Sequence, residues 1–182
     1  DSNAGKILFY LAAMAEKDKK QELADAYLAK IITDYQNDAN YPKALSKRAW
    51  KAYMDKDYAG AVPGMTLFIS NSVASPTRAQ AMFALADSLR RTDKMADAVR
   101  QFDALVKAIS VPNNPYGRTT EDIKTNEKLL EQARFNLAFS LSRLPSDATR
   151  RASIAKIDEF LGFYPQSDLA AKALNLKGSL QM

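Results

Sequence analysis

Apolar residues recur along most of this chain at intervals of three and four positions, and short polar stretches separate the runs. One such series is Ala24, Leu28, Ile31 and Tyr35. This spacing places the apolar side chains on one face of a helix. The pattern therefore predicts a succession of amphipathic helices joined by short turns.

Alanine residues recur within this pattern at a fixed distance. Ala12, Ala49 and Ala86 lie 37 residues apart, and each is followed twelve residues later by a second alanine, namely Ala24, Ala61 and Ala98. Two small residues that face each other allow two helix backbones to approach closely. The spacing predicts three helix–turn–helix hairpins, each closed at a pair of alanines.

A fourth, less regular copy follows, with Ala138 and Ser153 at the two small positions and a turn that we expect to be three residues longer. A final single helix would place Gly178 where Ala49 lies. The predicted repeats are 5–38, 40–74, 76–111 and 120–165, followed by the helix 167–182, all in one domain of residues 5–182. Residues 1–4 are interpreted as a cloning remnant.

Four sets of residues carry a resemblance to a known repeat family. They are Leu11, Ala12, Ala24 and Tyr35; Ala49, Tyr53, Tyr58 and Ala61; Leu85, Ala86, Leu89, Ala98 and Phe102; and Leu137, Ala138, Leu141 and Pro165. The pattern resembles the tetratricopeptide repeat (TPR), a helix–turn–helix of about 34 residues. The usual fourth-position tryptophan is absent, and the closing proline occurs once. The resemblance implies an all-α fold, a right-handed α-solenoid of about four hairpins with a terminal helix.

The joint "FYPQS" at residues 163–167 is similar to joints in bacterial envelope members of this family. Among them are the lipoprotein of the outer-membrane β-barrel assembly machine and the Tol-Pal-associated coordinator. The resemblance implies a protein-binding scaffold in the periplasm or on the periplasmic face of the outer membrane.

Residues 111–122 interrupt the repeat with two prolines, a glycine and two asparagines. This composition predicts a loop that ends in a helix cap at Thr119 or Thr120, followed by a helix from about Glu121 to Arg143. The loop is either a partner contact or a tolerated surface excursion, and the sequence leaves both open.

The amino-acid composition excludes several kinds of catalytic and metal-binding site. The chain contains no cysteine and no histidine, which excludes disulfides, thiolate nucleophiles, Cys/His zinc sites and a histidine general base. The net charge is +5, and the basic residues are interleaved with acidic ones along the chain. Nucleic-acid-binding proteins usually concentrate their basic residues on one face or tail, so we expect no nucleic-acid partner. The "SIAK" segment at 153–156 matches S-x-x-K without its companion motifs. We therefore expect no catalytic residue, no metal and no cofactor.

No stretch approaches the roughly 20 apolar residues of a membrane span. The run "ILFYLAAMA" at residues 7–15 imitates a signal peptide, but its positions match the repeat and favour an ordinary amphipathic helix.

In stacked hairpins the first helix of each pair lines a concave groove. The candidate partner-binding residues on these helices are Phe9, Lys43, Trp50, Tyr53, Phe83, Arg90, Phe135, Phe139 and Arg143. Aromatic and arginine side chains are frequent energetic anchors of interfaces, and this set suits a peptide with apolar and acidic character. The alternative is that the aromatic residues pack neighbouring helices together.

Two functions follow from this set. The first is a non-catalytic scaffold that binds a protein or peptide in the groove. The second is a structural segment of a larger or self-associating protein, in which the groove is filled by the protein's own chain or by an identical copy. The last helix favours this second function, because we expect Leu169, Leu176 and Leu180 to form an uncovered apolar face on it. An enzyme is the weakest alternative.

Overall fold

A computed structural model describes residues 3–117 and 119–182, and within these ranges the chain is helical and contains no strand. The all-α prediction is confirmed. Residues 1 and 2 of the predicted cloning remnant and Arg118 of the predicted loop lie outside the described residues. The helices are α1 (Ala4–Lys17), α2 (Gln21–Asp34), α3 (Tyr41–Met54), α4 (Tyr58–Asn71), α5 (Pro76–Arg91), α6 (Met95–Ile109), α7 (Thr120–Ser142), α8 (Asp147–Phe163) and α9 (Ala170–Gln181).

The helices belong to two compact units, one ending at Ser72 and the other beginning at Val73. The first unit contains α1 to α4 and the second contains α5 to α9. Within each unit every helix packs against the next one, and in the second unit α5 also contacts α7 and α7 contacts α9. The single domain of residues 5–182 stays a prediction.

The small residues that define the repeat are buried in both units. Ala12, Ala24, Ala49, Ala61, Ala86, Ala98, Ala138 and Ser153 are each at most 1% exposed. In the last pair the Ser153 hydroxyl donates a 2.8 Å hydrogen bond to the carbonyl oxygen of Ala138. The packing is therefore helical-repeat-like, with paired small residues at the close approach of two helices.

The turns inside the first three hairpins share one backbone conformation. Lys19, Lys56 and Asp93 have φ values of 61°, 64° and 60°, and they lie 37 residues apart. After each of them an N–H group bonds back to a carbonyl five residues earlier, as in the 2.8 Å bond from Lys20 to Ala15. This arrangement is the Schellman motif, which terminates a helix and satisfies its last carbonyl groups.

The fourth hairpin differs from the sequence-based expectation of a turn three residues longer. Its turn, residues 143–146, is only one residue longer than the others, and most of the insertion extends the start of α8. The Ser146 hydroxyl caps α8 by accepting a 3.1 Å hydrogen bond from the Thr149 N–H. A good capping residue placed early lets the helix begin sooner.

The long helix α7 begins at the cap predicted for it. The Thr119 hydroxyl accepts from the Asp122 N–H at 3.1 Å, and the Asp122 carboxylate accepts from the Thr119 N–H at 3.1 Å. This reciprocal pair is a capping box. Of the two predicted caps, Thr119 is the one used.

The prediction that the last helix has an uncovered apolar face is wrong. Leu169, Leu176 and Leu180 pack against the buried cluster that contains Ile157, Phe160 and Ala173. They share the face of Ala173 because their offsets from it, four, three and seven residues, correspond to whole helical turns. The exposed leucine of α9 is Leu174, at 56%.

Candidate partner-binding site

Phe9 is the predicted site residue around which the first unit builds a pocket. It lies on α1 one turn before the buried Ala12, and its half-buried ring packs against the core formed by Leu28, Ile31 and Ala44. The core contact fixes the position of the ring. Because the ring is only half-buried, part of its surface remains accessible to a ligand.

Two lysine side chains of α3 stand over this ring. The Lys43 Nζ atom is 6.0 Å from the centroid of Phe9, and the Lys47 Nζ atom is 5.9 Å from it. Both distances are within the range of a cation–π contact. Lys43 and Lys47 are four residues apart, which places them on one face of the helix.

The two ammonium groups differ in their partners. Lys47 forms a 2.5 Å ion pair with the Glu16 carboxylate of α1. Among residues 3–117 and 119–182, no carboxylate lies within 4.0 Å of the Lys43 ammonium. Lys43 is exposed, and its charge is a minor contributor, after hydrogen bonds from Asn40, to the lowered pKa of Asp38. Its positive charge is therefore available to an anionic group.

The pocket beside these residues has a volume of about 300 Å³. Phe9, Pro42 and Phe68 supply its apolar surface, and Lys43, Ser46, Lys47 and Asn71 surround it with polar groups. We call it the Phe9 pocket. Its apolar surface and cationic rim suit an apolar group attached to an acid.

Trp50 and Tyr53 lie outside the Phe9 pocket. The Trp50 ring meets Tyr53 edge-on at 6.3 Å, and Tyr53 meets Tyr58 in the same way at 5.9 Å. Trp50 lines a second pocket, of about 460 Å³, together with Glu16, Asp25, Lys47, Lys51 and Asp55. Trp50 and Phe9 thus line different pockets, which share Lys47.

In the second unit two predicted aromatic residues contact the core of their own unit. Phe83 packs edge-on against the buried Phe102 at 5.7 Å, and Phe135 packs against the buried Phe160 at 5.8 Å. These contacts favour packing as the role of both rings.

The other predicted residues of this unit are Arg90 on α5, Phe139 on α7 and Arg143, which directly follows α7. The Arg90 guanidinium stacks on Phe139 at 5.6 Å while donating a 2.6 Å hydrogen bond to the buried Asp87. Arg143 is exposed at the end of α7.

Several pocket residues were missed by the sequence reasoning. Lys47 follows the predicted Lys43 by one helical turn, and that spacing was a signal for it. Phe68 and Pro42 carried no such signal, because a position on α4 or at the first turn of α3 contributes to the Phe9 pocket only through tertiary packing.

The remaining polar groups give no arrangement typical of a reactive site. Ser153 bonds to a backbone carbonyl, and Lys156 bonds to Glu159 at 2.8 Å. In the described part of the chain, no group of three or more acidic side chains is arranged to hold a metal ion. No helix in that part has both the length and the apolar character needed to cross a membrane.

No protein-family model matches the chain, and no curated protein matches its sequence.

Proposed function

We propose that this chain is a non-catalytic protein-interaction scaffold, a right-handed α-solenoid of TPR-like hairpins that binds an apolar and acidic segment of a partner protein. The spacing of 37 residues between buried alanines supports the repeat, as do the left-handed turn residues at the same spacing. The resemblance of the residue 163–167 joint to envelope proteins supports a setting in the bacterial envelope.

The Phe9 pocket is the observation that carries this proposal. An aliphatic or aromatic side chain that entered it would cover Phe9, Pro42 and Phe68, and full burial of such a side chain is worth about 1.5–3 kcal/mol. A carboxylate next to that side chain would reach the unpaired ammonium of Lys43. Because a rim charge contributes mainly to specificity and association rate, the acid selects the partner while the apolar group supplies most of the affinity.

Selection from a displayed library of random peptides tests the proposal. We expect the enriched peptides to combine acidic with aromatic or aliphatic residues and to bind less tightly at high salt. Lys43→Glu should weaken them about three- to tenfold, and Phe68→Ala should weaken them independently of salt. Lys172→Glu makes the same charge change on an exposed position of α9 and serves as the control.

Two outcomes would contradict the proposal. One is enrichment of basic peptides. The other is equal weakening by Lys43→Glu and Lys172→Glu, which would show that binding depends on the net charge of the protein and not on the charge at the Phe9 pocket.

A structural, self-associating segment is the second candidate. Ile7, Tyr10 and Met14 on α1 are 57%, 66% and 48% exposed, and their spacing places them on one face of the helix. Self-association would therefore use this exposed face of α1, and not the leucine face of α9 that the sequence predicted. Sedimentation of the same protein at micromolar concentration separates the candidates, because a stable dimer abolished by Tyr10→Lys would support self-association and a monomer would support the scaffold alone.

A further inference from the structure

A pocket of about 710 Å³ lies in the second unit, between the end of α6, the connection that follows it and the start of α7. We call it the loop pocket. Val111 and Pro112 form one wall, and Ile123 and Leu130 form the other. Val111 and Ile123 are 52% and 50% exposed, so the pocket presents apolar surface to solvent. Its volume is in the range of ligand-binding sites.

The connection that forms the pocket is fastened by hydrogen bonds. The Asn114 amide donates to the carbonyl oxygens of Ile109 and Val111 at 3.1 and 3.2 Å and accepts from the Tyr116 N–H at 3.0 Å. Tyr116 is buried, and its hydroxyl accepts a 2.5 Å hydrogen bond from Arg78. Because these hydrogen bonds order the connection before a ligand binds, less conformational entropy is lost on binding.

Asn126 gives the loop pocket an unsatisfied polar group. It is 6% exposed and lines the pocket, and its Oδ1 atom is buried with no hydrogen-bond partner among the described residues. Its Nδ2 atom faces Gly117, where a Cβ atom would lie only 2.7 Å away. Buried polar atoms are almost always paired, so the missing partner requires an explanation.

The pocket offers a route for that partner. The last torsion of an asparagine side chain has a broad, roughly two-fold energy profile, so a half-turn about it exchanges the positions of Oδ1 and Nδ2 and places the oxygen next to Gly117, which also lines the pocket. A side-chain amide both donates and accepts, which makes it the complement of a peptide group. The apolar walls fit an aliphatic side chain next to that peptide group.

The charge of the residues that line the loop pocket restricts the charge of the ligand that it favours. Among the described residues that line the loop pocket, Glu127 is the charged one. Its carboxylate disfavours an acidic ligand at this position, in contrast to the cationic rim of the Phe9 pocket. We propose that the loop pocket binds a neutral or basic peptide segment through one aliphatic side chain and through a hydrogen-bonded peptide group at Asn126. The proposal does not depend on the Phe9 pocket, which belongs to the other unit.

Two small probes test this proposal on the intact chain. N-acetyl-leucine N′-methylamide carries the side chain and two amide N–H groups, and the methyl ester of O-acetyl-leucic acid replaces both N–H groups with oxygen atoms. In a nitrogen-15 NMR titration, we expect the amide probe to shift the signals of residues 109–117 and 123–130 and to saturate with a Kd of about a millimolar. The ester should bind about three- to tenfold more weakly, since it lacks one hydrogen bond.

Two variants separate the hydrogen bond from the apolar contact. Asn126→Leu should remove the difference between the two probes, while Val111→Ser should weaken both equally. Dispersion of the spectrum shows that each variant is folded. The proposal is overturned by equal binding of amide and ester to the wild-type protein, by an unchanged difference in Asn126→Leu, or by no saturable shift at about ten times the expected Kd.

Discussion

Gly64 lies where α4 comes close to α3, and an alanine at this position measures how tightly the two helices are packed. A Cβ atom on Gly64 would lie 2.7 Å from the Cβ atom of Ala49 and 2.7 Å from the carbonyl oxygen of Leu45. Carbon atoms pack best at about 3.5–4.0 Å, so the helices would have to separate by about 1 Å. Overpacking of this kind costs about 1–3 kcal/mol in the free energy of unfolding.

A second effect acts in the opposite direction. Replacing glycine by alanine in a helix interior adds about 1 kcal/mol of stability. We therefore expect Gly64→Ala to lower the free energy of unfolding by about 0–2 kcal/mol. Gly178→Ala is the matched control, because a Cβ atom there would meet nothing within 4 Å, and it should raise the free energy of unfolding by up to about 1 kcal/mol.

Urea denaturation followed by circular dichroism measures both variants. Trp50, the single tryptophan, lies in the first unit next to Ala49, and its fluorescence reports on that unit directly. The difference between the two variants should equal the overpacking cost of about 1–3 kcal/mol. If Gly64→Ala stabilises the protein as much as Gly178→Ala does, the close approach of α3 and α4 does not constrain the fold and the reasoning is refuted.

Two further predictions concern the turns. Hydrogen bonds from Asn40 lower the pKa of Asp38, so the stability that this carboxylate contributes is present above about pH 4 and is lost as the pH falls through the folded-state pKa. Asp38→Asn should therefore lose less stability than the wild type between about pH 5 and pH 2, as measured by the urea midpoint, and an equal loss would contradict this. Lys56 has a φ of 64°, so Lys56→Gly should raise the free energy of unfolding by about 0.5–1 kcal/mol, whereas Lys30→Gly inside α2 should lower it by about 1 kcal/mol. A loss of stability at position 56 would show that the left-handed conformation costs the lysine nothing.

The candidate site was only partly predictable from the sequence. Phe9 and Lys43 were named because the hairpin pattern places them on one side of the first helices, and the structure brings them together. Trp50 was placed in the same set, yet it lines a different pocket. The rotation of one helix against its neighbour decides which residues share a pocket, and that rotation depends on contacts distant in the chain.

The sequence by itself determined the helices, the small residues between them and the regular turns. These features are local, since a period of 3.6 residues, a cap such as Thr119 and a recurring left-handed residue act within a few positions of the chain. Only the tertiary structure decided that Leu176 packs inward, that Phe68 joins Phe9, and that the buried Oδ1 atom of Asn126 has no hydrogen-bond partner among the described residues. Each of these depends on how closely and at what angle helices approach one another, and packing across the whole unit sets that geometry.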